Sequence, residues 1–256
     1  MEGRDNGRDV KDSGSWNNGE NFMDVHLRQV LDGLQKRVDV FLREMGRKDP
    51  VFSFDPDRLA LIVVDMQNFA IRPDGTRSLA GLEHVVKGVN LLAKTFREKG
   101  VPVIWIRQNF TRISRGDDVG LYGHFHEKPV PSGMYNQGEL TEIHPAMRVM
   151  PEDHVLFKNR YSLFAPGSST LEVLLGELGR DQLVFCGVVT NVCVECSVRD
   201  AMQRGFQSTV VSDATTSFDI LVHEMSLQIM RLFFADIRTV HEIITLLSSL
   251  RIWGRP

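Results

Sequence analysis

No stretch of this 256-residue chain is apolar for long enough to span a bilayer, and neither sign of charge dominates it. Thirty Lys and Arg stand against 33 Asp and Glu, for a net charge of −3 and a pI near 6.2. That balance gives neither nucleic acid nor an anionic membrane surface a reason to bind. Cysteine is scarce: three residues, an odd number, in a chain with no secretory leader pattern, which points to a reducing compartment and a cytoplasmic protein. Eight histidines include no His-Glu-x-x-His, and no paired Cys-x-x-Cys motifs occur. The common metal patterns are therefore missing, and no cofactor is expected; only a site assembled from distant residues stays open. Residues 1–20 have almost nothing apolar and read as a disordered tail.

What is present is a 42% hydrophobic, 25% charged chain, enough for one sizeable core plus an extra segment. Over residues 21–46, Leu27, Val30, Leu31, Leu34, Val38, Phe41, Leu42 and Met45 form one helical stripe that stops near Gly46. This amphipathic helix must cover either its own domain or a neighbouring subunit. Its polar face mixes acids and bases, so a membrane-surface role is disfavoured. The main domain, residues 52–256, alternates apolar strands with amphipathic helices. Leu59–Val64, Val101–Ile106, His154–Phe157, Leu183–Cys186, Ser208–Val211 and Ile237–Val240 read as strands. Helices fall at Leu79–Lys99, Ser168–Gly179, Cys193–Gly205, His223–Phe234 and Glu242–Leu250. The alternation predicts a three-layer α/β/α fold with a doubly wound, mainly parallel six-stranded sheet and right-handed crossovers. Gln108 to Pro151 is a long irregular stretch, the natural place for a pocket wall or lid.

Chemistry concentrates where strands end. Cys193 sits where an apolar strand, turned by Gly187–Asn191, gives way to a helical pattern. Unpaired amides and the positive helix end would lower a thiol's pKa there, and the thiolate is the nucleophile. Asp65 follows the run Leu59–Val64, and Lys158 follows His154–Phe157. The carboxyl ends of a parallel sheet share one rim, so the three groups can converge. A carboxylate can take the thiol proton, a buried lysine can keep that carboxylate ionised, and the thiolate can attack a carbonyl. Gln108, Asn109, Arg112 and Tyr161 are pocket candidates because they follow strand ends. Glu195 and Arg199, one helical turn apart, read as a surface pair.

The runs Leu61-Ile-Val-Val-Asp-Met-Gln67, Lys158-Asn-Arg-Tyr-Ser162 and Gly187-Val-Val-Thr-Asn-Val-Cys-Val-Glu195 resemble the isochorismatase-like cysteine hydrolases, over about Asp55 to Val240. That superfamily includes nicotinamidases, N-carbamoylsarcosine amidases, ureidoacrylate amidohydrolases and biuret hydrolases. The resemblance implies a catalytic triad of Asp65 as general base, Lys158 as its partner and Cys193 as nucleophile, with a thioester acyl-enzyme. It also implies a cis peptide at Val188–Val189 that turns the Val189 and Cys193 amides toward the oxyanion. The substrate it implies is a small amide or ureido or carbamoyl compound, and the quaternary form a homo-oligomer, dimer or tetramer. Two departures refine this. The nicotinamidase Asp-x-His metal pair is missing from Arg107-Gln-Asn-Phe-Thr-Arg112, which argues against metal and nicotinamide. Isochorismatases proper often lack the cysteine, so its presence favours C–N over vinyl-ether hydrolysis. Two other readings compete: a dithiol redox protein built on Cys193-Val-Glu-Cys196, and a scaffold without catalysis.

Overall fold

The computed structural model describes residues 25–71, 79, 81–109 and 138–250. The organising strand is β1 (Leu59–Val64), six apolar residues buried on both sides. Its alternation builds two cores at once. Leu59, Leu61 and Val63 join one cluster, and Ala60, Ile62 and Val64 join the other. On the first face lie α3 (Leu82–Glu98) and α7 (Val240–Ser249). On the second lie α4 (Leu171–Leu178), α5 (Glu195–Gln203) and α6 (Ile220–Phe233). A short α2 (Asn68–Ile71) follows β1. The remaining strands are β2 (Val103–Gln108), β3 (His154–Lys158), β4 (Gln182–Val188), β5 (Gln207–Thr216) and β6 (Asp236–Arg238).

All six strands are parallel, in the order β3-β2-β1-β4-β5-β6. The chain winds outward from β1 to β3, then returns to place β4 on the other side of β1. The crevice between the carboxyl ends of β1 and β4 is therefore the topological switch point, where ligands of open sheets bind. The three-layer expectation holds. Its details shift at the ends of elements, where hydrogen bonds rather than apolar pattern decide. The fifth strand runs to Thr216, well past the apolar run, after a register shift between Phe185 and Gly187; Asp213 lies inside it. The last strand ends at Arg238, because Thr239 caps α7 in a reciprocal box with Glu242.

The N-terminal helix α1 (Val25–Glu44) packs on its own chain. Val38 and Leu42 are buried, Phe41 meets Phe233 edge-on at 6.3 Å, and Gln228 Nε2 donates to Gln35 Oε1 at 2.7 Å. Arg231 on α6 ties in Asp39 at 2.8 Å and also pairs with Asp49. The expected tail at residues 1–20 lies outside the described residues.

One buried ion pair secures the entry to β3. Asp153, its side chain 1% exposed, takes a bidentate pair of bonds from Arg97 on α3, one from Trp105 Nε1 on β2 and one from Met150 N. Burial alone would raise its pKa, but these donors outweigh burial and lower it. A depressed carboxylate contributes stability above its unfolded value, and loses it as pH falls through the folded one. Asp153→Asn is accordingly expected to cost about 3 kcal/mol near neutral pH. The penalty shrinks below the ordinary 3.8 in urea unfolding curves, and a penalty that persisted unchanged there would refute the ion-pair origin.

Candidate active site

The rim at the switch point is built by tight backbone. Asp65, immediately after β1, adopts φ +51, a left-handed conformation that aspartate tolerates better than most residues but that still costs of order 1 kcal/mol. Gln67 N closes back onto Asp65 O at 2.8 Å. Opposite, β4 passes against β1 at Gly187, with φ +100, and a Cβ there would lie 2.1 Å from Val64 O. No side chain fits, so glycine is required for the two strand ends to meet. The Val188–Val189 peptide is cis. Thr190–Val194 then forms a π-turn, in which Val194 N reaches back five residues to Val189 O at 3.3 Å. Cys193 lies inside this turn, and the α-helix proper begins at Glu195.

The structure brings Asp65, Lys158 and Cys193 together. Lys158 Nζ lies 2.8 Å from Asp65 Oδ2 and donates to Cys193 Sγ at 3.3 Å, to Arg160 O at 3.1 Å and, through a very short bond, to Gln108 Oε1. The three protons of the ammonium are matched by its three hydrogen bonds, to Gln108, Arg160 and Cys193, and Asp65 is held beside them as an ion pair. Lys158 and Asp65 are each 1% exposed. Lys158 reaches the site from β3, across the end of β2.

Electrostatics here correct the sequence expectation. The helix end does not leave Cys193 with a lowered pKa. Burial, and then the Asp65 charge, push the thiol above its ordinary value, with Lys158 only partly opposing them. Burial likewise raises Asp65, against the pull of Lys158 and Cys193. Burial lowers the affinity of Lys158 for its proton, but Asp65 and Cys193 more than restore it, so it stays charged. Both the Cys193 thiol and the Asp65 carboxyl thus hold their protons more tightly than usual. Each shifts the other's proton affinity.

The pocket candidates separate. Gln108 joins the cluster through Lys158, and its Nε2 is buried with no hydrogen-bond partner among the described residues. Asn109 is 6% exposed and tied by its amide to Lys158 O at 2.8 Å. Tyr161 is 41% exposed, and the hydrogen bonds given above for Lys158 go to other residues. Arg112 lies outside the described residues, as does most of the stretch after Asn109. Arg199 Nη2 does meet Glu195 Oε1 at 2.6 Å, yet Glu195 is largely buried and also accepts from Ser226. It is a packed tie between α5 and α6, more than a surface pair.

Sequence reading missed Gln67, although it ends the first motif. Its Oε1 accepts from Gln108 N at 2.7 Å, and its Nε2 donates to Gln108 O and Thr141 O. Arg107 Nε donates to the same Thr141 O at 2.7 Å, and Asn68 N to Glu142 O at 2.9 Å. The side chain thus acts as one more rung of the sheet, locking the chain after β1 to the end of β2 and to residues 138–143. All three cysteines are free thiols. Burial, Glu195 and Asp200 raise Cys196, opposite to what a dithiol oxidant requires. Among the described residues no cluster of His, Cys, Asp or Glu has the makings of a metal site, and no helix is long and apolar enough to cross a membrane.

Known proteins share this architecture. The isochorismatase domain model matches residues 59–242. A cysteine hydrolase from Pseudomonas syringae pv. phaseolicola is 26% identical, covering 77% of this chain and 96% of its own, with a TM-score of 0.68. An isochorismatase family protein from Burkholderia thailandensis is also 26% identical, over 77% and 98%, with a TM-score of 0.59. N-carbamoylsarcosine amidase from Thermoplasma acidophilum shares the fold at 24% identity, over 77% and 99%, with a TM-score of 0.60. With its motifs at the switch point and the match spanning every strand of the sheet, the chain belongs to the isochorismatase family of hydrolases.

Proposed function

We propose that this hydrolase cleaves a C–N bond of a small amide or of a ureido or carbamoyl compound, with Cys193 as nucleophile. The observation that carries the reading is the buried convergence of Asp65, Lys158 and Cys193 beside the π-turn. Burial favours the protonated thiol, so its proton leaves as sulfur attacks, and the role assigned to Asp65, paired with the same ammonium, is to take it. Sγ bonds to the carbonyl carbon while the carbonyl electrons move to oxygen, and the amides of Val189 and Cys193 would hold that oxyanion. Asp65 returns the proton to the leaving nitrogen as the C–N bond breaks, leaving a thioester. Asp65 then deprotonates water for attack on the thioester, the C–S bond breaks, and the sulfur regains a proton. Lys158, held charged by Asp65 and Cys193, offsets the negative charge as it passes between carboxylate and sulfur.

The test is ammonia release from small amides, ureido acids, biuret, carbamoyl amino acids and nicotinamide, by wild type and Cys193→Ala, with and without EDTA. Turnover is expected to fall at least about 10³-fold in the variant and to be indifferent to EDTA. Turnover that survives Cys193→Ala refutes the nucleophile. The homo-oligomer belongs to the same reading, and sedimentation mass decides it.

A further inference from the structure

Outside the groups that carry the chemistry, one buried titratable side chain is aimed at the turn presenting the thiol. His223, in the first turn of α6 and 6% exposed, brings Nδ1 to 2.8 Å from Thr190 Oγ1. Thr190 is fully buried and opens the π-turn, and its hydroxyl also lies 2.9 Å from Thr215 Oγ1 near the end of β5. A hydroxyl has one proton, so Thr190 donates to one of these partners and accepts from the other, and both bonds are satisfied together. The next residue is held too, since Ser217 Oγ donates to Asn191 Oδ1 at 2.6 Å. Burial pushes the His223 imidazole down to about 4, so at neutral pH it serves as an uncharged hydrogen-bonding group.

We infer that His223 is a positioning residue: through the Thr190 hydroxyl it fixes the arc of backbone that sets Cys193 Sγ against Lys158. The π-turn lacks the regular ladder of an α-helix, so its shape depends on such side-chain ties. The footing of the clamp is itself firm. Asp219 Oδ1 caps α6 by accepting from Leu221 N and Val222 N, and α1, which lies outside the matched domain, braces the far face of α6 through Gln35 and Gln228. Thus a helix outside the matched residues braces, at one remove, the turn that carries Cys193.

The inference rests on the proposed nucleophile only for its turnover arm. In the full chain, His223→Phe keeps the ring volume and removes Nδ1, whereas His223→Asn restores a polar atom near the Nδ1 position. Carboxamidomethylation of Cys193 by iodoacetamide, read by residue-resolved mass spectrometry, needs no substrate. His223→Phe is expected to slow it several-fold and to lower kcat about tenfold or more with KM unchanged, because a displaced reacting atom loses rate without losing binding. His223→Asn should recover most of both. Thr190→Val should copy His223→Phe, and the double variant should be no worse than either. Equal alkylation rates in His223→Phe and wild type, additive losses in the double variant, or equal losses in the Phe and Asn variants would each overturn the inference. Should His223→Phe fail to fold, Thr190→Val carries the same comparison. If Cys193 proves dispensable for hydrolysis, the alkylation rates still judge His223.

Discussion

Lys158→Met is expected to destabilise the protein by about 3–5 kcal/mol at neutral pH, while the double variant Asp65→Asn, Lys158→Met regains most of that loss and stays inactive. The ammonium is fully buried against Asp65, and removing it strands a carboxylate where water cannot reach. Replacing both charges leaves no such orphan. The pH dependence follows in sign. Asp65 already has a raised folded pKa, and without Lys158 it loses the largest influence holding that value down. A group whose folded pKa is raised contributes stability below its unfolded value and loses it as pH rises through the folded one. The penalty of Lys158→Met should therefore be small below the ordinary 3.8 and grow with pH. Urea unfolding at several pH values reads this directly. A constant penalty, or a double variant no more stable than the single, would show that packing rather than charge makes the difference.

The second large effect is conformational. Gly187→Ala would drive a Cβ to 2.1 Å from Val64 O and 2.7 Å from Val64 N, at a φ of +100 that L residues rarely adopt. Those neighbours are backbone of the central strand, hydrogen-bonded on both sides, and cannot swing away as a side-chain tip can. A loss of more than about 4 kcal/mol is expected, enough to unfold many domains of this size. If enough protein folds, the strand ends must spread. Asp65 and Cys193 hang from those ends, so activity should fall further than stability explains. Thermal melting and turnover of the soluble fraction test this, and a folded, fully active Gly187→Ala would contradict the close approach.

The layers of this fold were legible because burial on both faces leaves a simple mark. Leu59–Val64 can hardly be anything but a central parallel strand, and helices with one apolar stripe must cover it. Asp65, Lys158 and Cys193 were legible as candidates because each follows such a strand. Their meeting followed from the shared rim and from the family resemblance; the strand order that carries Lys158 across β2 to reach Asp65 did not, since it leaves no trace in a single sequence. The upward shift of the thiol also escaped, because a local rule about helix ends competes with burial, and burial is decided by the assembled cluster. Gln67, Thr190 and His223 stayed hidden for a related reason. Their partners lie far along the chain, and nothing in residue type separates a buried tie from an ordinary polar residue.

The Gln67 rung has a consequence for how such a protein can change. Asn109 is tied to Lys158, and residues 138–143 are tied to Gln67, Asn68 and Arg107, so both roots of the stretch 110–137 are fastened to the same rim. Closing a chain between two anchored points costs only about 0.6 kcal/mol more for each doubling of its length. The two anchors are held by the rim itself, through Lys158 O on one side and the Gln67 side chain on the other. Changes of sequence between those two anchors thereby leave untouched the ties that hold the rim carrying Asp65 and Lys158.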